Sequence, residues 1–304
     1  MSYRNYSNTD TDISNTYKLM YINQTLAYVK KMHNLLKENI RQYNIVDLIK
    51  KMDDIIDESD PDTDVPQSVH AYQTGESIYE NYFIDNKLKK INIKDIFSKD
   101  EWANLPNDIQ LLYEEKKYID KLYEKITDWE WFRLVGYIHD LGKILLLPEF
   151  GNLPQWSVVG DIFPVGCDFS QSNIFYEQKY HEQSLDYNKF DKPGIYKQKC
   201  GLEKLYMSYS HDYYLYNILK KNKVLIPDEG LYIIRFHSFY AWHTPKNNIQ
   251  GYTNFANNYD WYMLPLLKLF QKSDLYSKST AIPDLQPAKY LQLLQKYNCT
   301  TLLI

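Results

Sequence analysis

The chain of 304 residues reads as one all-α domain. Three observations predict this. Apolar residues recur at three- and four-residue intervals over most of the chain, the spacing of a single helical face. The sequence contains no internal repeat and no Gly/Ser- or Pro-rich linker that would divide it into halves. A chain of this length also buries about three-quarters of its surface, enough for one large core without disulfide support.

The elements follow in order. Residues 14–40 place Tyr17, Met20, Tyr21, Tyr28, Met32, Leu35 and Leu36 on one stripe, an amphipathic helix. A shorter helix spans 46–56 and ends in DESDPDTDVPQS, where two prolines and a run of acids stop it. Ser68 is the expected N-cap of a helix carrying His70. Thr127 or Asp128 caps one that runs through Trp131, Leu134 and Ile138, and Gly142 is the expected left-handed residue at its end. Between these two helices, residues 81–127 are rich in Lys, Asp, Glu and Ile and read as an elaboration. Residues 144–200 carry Gly, Pro, Asp and aromatics without helical period, which predicts a long irregular and functional loop region. Helices are expected over 201–221, 228–240 and 256–277, and Pro287 opens a last one.

Composition excludes several function classes. With 35 Lys+Arg against 39 Asp+Glu the net charge is −4, too little positive charge for a nucleic-acid binder that relies on bulk electrostatics. Cys167, Cys200 and Cys299 are too few and too widely spaced for a disulfide framework or a paired-Cys zinc site. The opening MSYRNYSNTDTD has neither the basic start nor the apolar run of a signal peptide, and apolar runs such as 144–148 are far too short to span a bilayer. A cytoplasmic protein without membrane or nucleic-acid partners is expected. The 30 tyrosines reflect aromatic packing and codon usage and carry no chemistry of their own.

The histidines do. Of the seven, His70, His139, His211 and His237 each sit in a predicted helix near its hydrophobic face. Asp140 follows His139 directly, and Asp274 lies near the end of the penultimate helix. Imidazoles and carboxylates without a thiolate suit iron, manganese or zinc, not copper(I) or an iron–sulfur cluster. Six such ligands, one of them a carboxylate able to bridge, are too many for one tetrahedral zinc and fit a two-metal centre with open positions. His33 and His181 read as surface residues, and His243 as structural. Cys167 and Cys200 read as buried small hydrophobes.

His70, then His139-Asp140, then Asp274 resembles the H…HD…D signature of the HD-domain superfamily. The longer blocks DESDPDTDVPQSVHAYQT, WFRLVGYIHDLGK, PQWSVVGDIFPVGC, CGLEKLYMSYSHDYYLYNILK and IIRFHSFYAWHT resemble the myo-inositol oxygenase family nearly throughout, as do YRNY, TYKLMYINQTLAYV, FQKSDLYSK and IPDL. Residues 81–127 and the C-terminal LLQKYNCTTLLI depart from the family pattern. The resemblance implies an HD-domain-like helical bundle and a single domain over 1–304, with 81–127 as an atypical insertion. It implies a mixed-valent Fe(II)/Fe(III) pair, O2 as co-substrate, cleavage of the myo-inositol ring to D-glucuronate, and a monomer. By match, His70, His139 and Asp274 would hold one iron, His211 and His237 the other, and Asp140 would bridge them. Lys143 would act beside Asp140 in catalysis, although its spacing equally allows a solvated lysine at a helix end. Arg4, Asp57, Glu58, Ser59, Lys143, Gly160, Asp161, His237 and Ser238 fall at substrate-contact positions; Asp57-Glu58-Ser59 equally reads as a turn. Two other readings share the fold: an HD-domain phosphohydrolase, which wants basic residues around a phosphate, and a non-catalytic binding protein.

Overall fold

The computed structural model describes residues 11–35, 41–60, 65–125, 129–245, 248–276 and 286–304. Its helices, in chain order, are α1 (Thr11–Asn23), α2 (Leu26–Leu35), α3 (Ile45–Lys51), α4 (Gln67–Ile78), α5 (Lys99–Asn104), α6 (Asn107–Glu114), α7 (Lys116–Lys125), α8 (Trp129–Ile138), α9 (His211–Lys221), α10 (Asp228–Phe236), α11 (Tyr240–His243), α12 (Asn258–Tyr276) and α13 (Pro287–Lys296). The all-α expectation holds, with one addition. A short antiparallel ribbon pairs β1 (Gln42–Asn44) with β2 (Thr301–Leu303), Tyr43 opposite Leu302. Three-residue strands carry too little alternation to be read from a sequence.

The framework is the crossing of α4 and α8. A methyl group at Gly136 would come within 2.8 Å of Ile78 Cδ1 and 3.1 Å of the Gly75 amide nitrogen, so the two helices meet backbone to backbone. Arg133 of α8, fully buried, pairs with Glu76 of α4 and donates to Tyr290 Oη on α13 at 3.3 Å. This crossing sets His70 on α4 beside His139, which follows the last turn of α8. One continuous apolar cluster runs from Met32 and Ile45 through Phe132, Ile234 and Phe270 to Leu302. A smaller one joins Tyr17, Met20 and Tyr21 of α1 to Phe163 and Phe175 of the irregular region.

Several boundaries moved, for local reasons. The stripe over 14–40 breaks into α1 and α2 at Gln24, whose side-chain amide is spent on the backbone of Trp156 and Tyr209. Helix α9 begins at His211, not at 201, because residues 201–209 run alongside the irregular region, with the Ser208 amide donating to the Phe163 carbonyl. The Ser210 side chain then caps α9. Ser68 does not cap α4. Pro66 holds that position, and Ser68, inside the first turn, donates its amide and hydroxyl to Asp53 at 2.8 and 2.9 Å. Thr127 and Asp128 lie outside the described residues. Gly142 is not left-handed; it lies in a 3₁₀ turn over 141–146. Its need for glycine is steric, since a Cβ there would sit 2.2 Å from the His211 carbonyl oxygen.

Residues 81–127 pack Ile93, Ile96, Trp102 and Tyr113 into the main core. They also carry the capping box of α5, in which Ser98 and Glu101 satisfy each other's amides. Glu101 is buried and takes the Lys268 ammonium of α12 at 2.6 Å, and Lys268 also donates to the His243 carbonyl at 2.8 Å.

Two outcomes test this frame. Lys268→Met strands the buried Glu101 carboxylate, so urea denaturation should show a loss of about 3–5 kcal/mol. Gly142→Ala forces the turn over 141–146 away from α9 and should cost about 1–3 kcal/mol by the same measurement.

Candidate metal centre and its cavity

Helix α4, the end of α8, the start of α9, the end of α10 and the last turns of α12 converge on one cavity lined by buried side chains. His139 leaves α8 with its amide still bonded to the Val135 carbonyl, and Asp140 then opens the 3₁₀ turn. His211 is the first residue of α9, and its amide donates to Val158 at 2.9 Å. His237 ends α10, where its carbonyl accepts from His243 Nε2 at 2.8 Å and from Gln271. Asp274 comes from the last turns of α12.

Each of three imidazoles turns Nδ1 toward a backbone carbonyl: His139 to Gly136 at 2.8 Å, His211 to Val158 at 2.7 Å and His237 to Ile234 at 3.0 Å. A carbonyl only accepts, so Nδ1 carries a proton, and in the neutral ring Nε2 is left with a lone pair. Those lone pairs meet. The Nε2 atoms of His211 and His237 stand 3.1 Å apart, with Asp140 Oδ1 at 3.3 and 3.7 Å from them. On the other side, Asp274 Oδ1 lies 3.0 Å from His70 Nε2 and 3.3 Å from His139 Nε2, while Asp140 Oδ2 is 3.7 and 3.4 Å from the same atoms. Asp140 therefore offers one oxygen to each group.

Lone pairs and carboxylate oxygens at these separations repel in a buried site unless a proton or a metal cation lies among them. Among the described residues three overlapping sets meet the spacing of metal ligands: His70, His139 and Asp274; His139, Asp140 and His237; and His211, Asp212 and His237. The donors, all nitrogen and oxygen, fit a divalent or trivalent transition metal. The cluster has the make-up of a metal site.

Lys143 is buried, not solvated. Its ammonium donates to Asp140 Oδ2 at 2.8 Å, pairs with Asp57 Oδ2 at 2.9 Å and reaches Gln67 Oε1 at 3.3 Å. Burial alone would lower its pKa, but Asp140 and Asp57 hold it well above the ordinary lysine value, so it stays charged. Burial works equally against the Asp57 carboxylate, and Lys143 together with Ser59 overcomes it, leaving its pKa below the ordinary value. Asp57 Oδ1 accepts both the amide and the hydroxyl of Ser59, at 2.9 and 2.6 Å. The Asp57-Glu58-Ser59 segment is thus a turn that also lines the cavity.

The cavity holds about 60 Å³, room for a handful of water-sized groups. Of the sequence-expected contacts, Asp57, Ser59, Lys143, Gly160, Asp161, His237 and Ser238 line it. Glu58 does not; its carboxylate is exposed and accepts from Thr16 Oγ1 at 3.2 Å. Arg4 lies outside the described residues. Tyr17, Asp60 and Tyr240 also form the wall and were not expected. The signal for Tyr17 was its hydroxyl on an apolar stripe: it donates to Asp161 Oδ1 at 2.8 Å. Asp212 was missed although SYSHDYY is a second His-Asp step.

The other histidines sort differently from expectation. His33 is half-buried, stacked on Tyr213 at 3.8 Å, and burial with the nearby Arg235 charge lowers its pKa to about 4. His181 is half-buried between Phe169 and Tyr176. Neither is a plain surface residue, because a flat ring that covers an aromatic face removes apolar area from water. His243 is structural, as expected. Cys167 and Cys200 are half-buried rather than buried, and both are free thiols.

Comparison with known proteins shows the family of the chain. A family model described as Myo-inositol oxygenase matches residues 10–96 and 98–303. The inositol oxygenase of Danio rerio is 39% identical over 303 residues, covering 97% of this chain and 90% of that protein. Inositol oxygenase of Dictyostelium discoideum is 38% identical, covering 97% and 87%, and that of Homo sapiens 35% identical, covering 97% and 88%. The matched stretches contain all six converging side chains, and the chain belongs to the myo-inositol oxygenase family.

Proposed function

We propose that this protein is an iron-dependent oxygenase that cleaves the myo-inositol ring with O2 to D-glucuronate. The observation that carries this reading is the paired ligand cluster with Asp140 shared between its halves, opening on a cavity whose one buried cation is Lys143 among the described residues that line it. The relatives named above act on inositol, and the wall suits such a substrate. Asp57, Ser59, Asp161 and Ser238 supply acceptors and donors for a ring of hydroxyls. A phosphoester would instead meet the carboxylates of Asp57, Asp60, Asp140 and Asp161 with Lys143 already engaged, which disfavours the hydrolase reading. Atoms balance without a further reductant: C6H12O6 and O2 give glucuronate, a proton and one water.

In this reading His70, His139 and Asp274 hold one iron, His211 and His237 the other, and Asp140 bridges. When bound, the pair supplies Lewis acidity toward the polyol hydroxyls and one-electron chemistry toward O2. The protein's own groups do the rest. Backbone carbonyls lock the three Nδ1 tautomers, so the Nε2 atoms are preorganised. Lys143 presents a fixed positive charge to an alkoxide that forms at the cavity, and its two carboxylate partners hold it there at no reorganisation cost. Tyr17 orients Asp161 toward the same space. Burial of the whole set keeps bulk water from reactive oxygen species.

Protein loaded anaerobically with Fe(II) and then given air should consume O2 with myo-inositol and form glucuronate in equal amounts; a chelator should abolish this and Fe(II) restore it. Phosphate release from a phosphomonoester without glucuronate would reverse the reading. Lys143→Met should keep its metal content by elemental analysis and lose about 10²–10³ in kcat.

A further inference from the structure

The site contains a charge that the ligand assignment above does not use. Asp212 follows His211 at the start of α9 and is fully buried. Its Oδ2 accepts the Ser238 amide at 3.1 Å and lies 3.4 Å from His237 Nδ1. Its Oδ1 is 3.3 Å from His211 Nε2, is buried, and has no hydrogen-bond partner in the structure. Asp212 therefore touches both imidazoles of one metal position and the backbone of a cavity-lining serine. It forms a ligand-spaced set with His211 and His237. Arg235, a buried cation whose charge interacts with that of Asp212, stacks on the Tyr213 ring at 4.6 Å.

A buried carboxylate oxygen left without a donor is costly unless a cation faces it. For capping the Ser238 amide, a neutral Asn would serve as well. We propose that Asp212 is a positioning residue for the metal at the His211–His237 end. Its Oδ2 ties the His237–Ser238 corner to the start of α9, so the metal-binding imidazole and the serine at the cavity move as one unit. Its negative charge adds to the affinity of that position for a cation, over and above the bridging Asp140. Asp140 and Asp212 then balance a metal ion electrostatically at this position, and the buried Arg235 charge interacts with Asp212. The inference rests on reading His211 and His237 as metal ligands, and the test separates the two.

Mn(II), which is visible by electron paramagnetic resonance while free, is titrated into metal-free wild-type and Asp212→Asn protein. The melting temperature of each is taken with and without the ion. Asn keeps an acceptor for the Ser238 amide, removes the charge and puts an NH2 in place of the second oxygen. Wild type should bind two equivalents. In the variant one of the two affinities should fall about 10–100-fold, the loss expected for an outer carboxylate of a metal-bound histidine. The metal-free melting temperature should stay within about 3 °C of wild type, while the rise on adding Mn(II) shrinks. Unchanged affinity in the variant, or an equal drop in melting temperature with and without Mn(II), overturns the role of Asp212 and leaves the ligand reading standing. Wild type that binds no Mn(II) overturns both.

Discussion

Nitrogen lone pairs and carboxylate oxygens crowded into one buried volume are the constraint around which this fold is built. His211 and His237 point their Nε2 atoms at each other across 3.1 Å, and Asp140 and Asp274 fill the space beside them. With the rings neutral that arrangement is repulsive, and a metal cation converts the same repulsion into affinity. Folding must therefore pre-assemble groups that would otherwise separate, and the rest of the structure supplies the force.

That force comes from packing and from backbone hydrogen bonds at the edges of the cluster. The Gly75–Gly136 contact lets α4 and α8 approach closely enough for His70 and His139 to share Asp274. Gly142 lets the turn after α8 lie against the first residue of α9, which sets the His139–Asp140 step opposite His211. At His237 the hold is a relay. Glu101 takes Lys268, Lys268 takes the His243 carbonyl, and His243 donates to the His237 carbonyl. Through that relay Glu101 of α5 buttresses the cluster from a distance.

Much of the site was legible because its chemistry is written in residue type. Four histidines on apolar faces, an adjacent His-Asp pair and a late aspartate specified a carboxylate–imidazole centre before any geometry was known. Local structure was less legible wherever a distant group competed with the local pattern. Ser68 has the chemistry of a cap, yet Asp53 captured it. Gly142 looked like a left-handed stop, and its real constraint lies in the His211 carbonyl. Tyr17 sat on an apolar stripe as a core residue should, and only its hydroxyl, reaching Asp161, gave it a place at the cavity.

By itself, then, the order of residues determined the helical class, the donor chemistry and the side chains that bear it, since periodicity and ligand type are properties of short stretches. Tertiary structure alone decided that Lys143 is buried between two carboxylates rather than solvated, that Glu58 turns outward, and that Asp212 joins the cluster. Each of these depends on which atoms from far along the chain arrive within about 3–4 Å, where electrostatics in a buried site become strong enough to set charge and orientation.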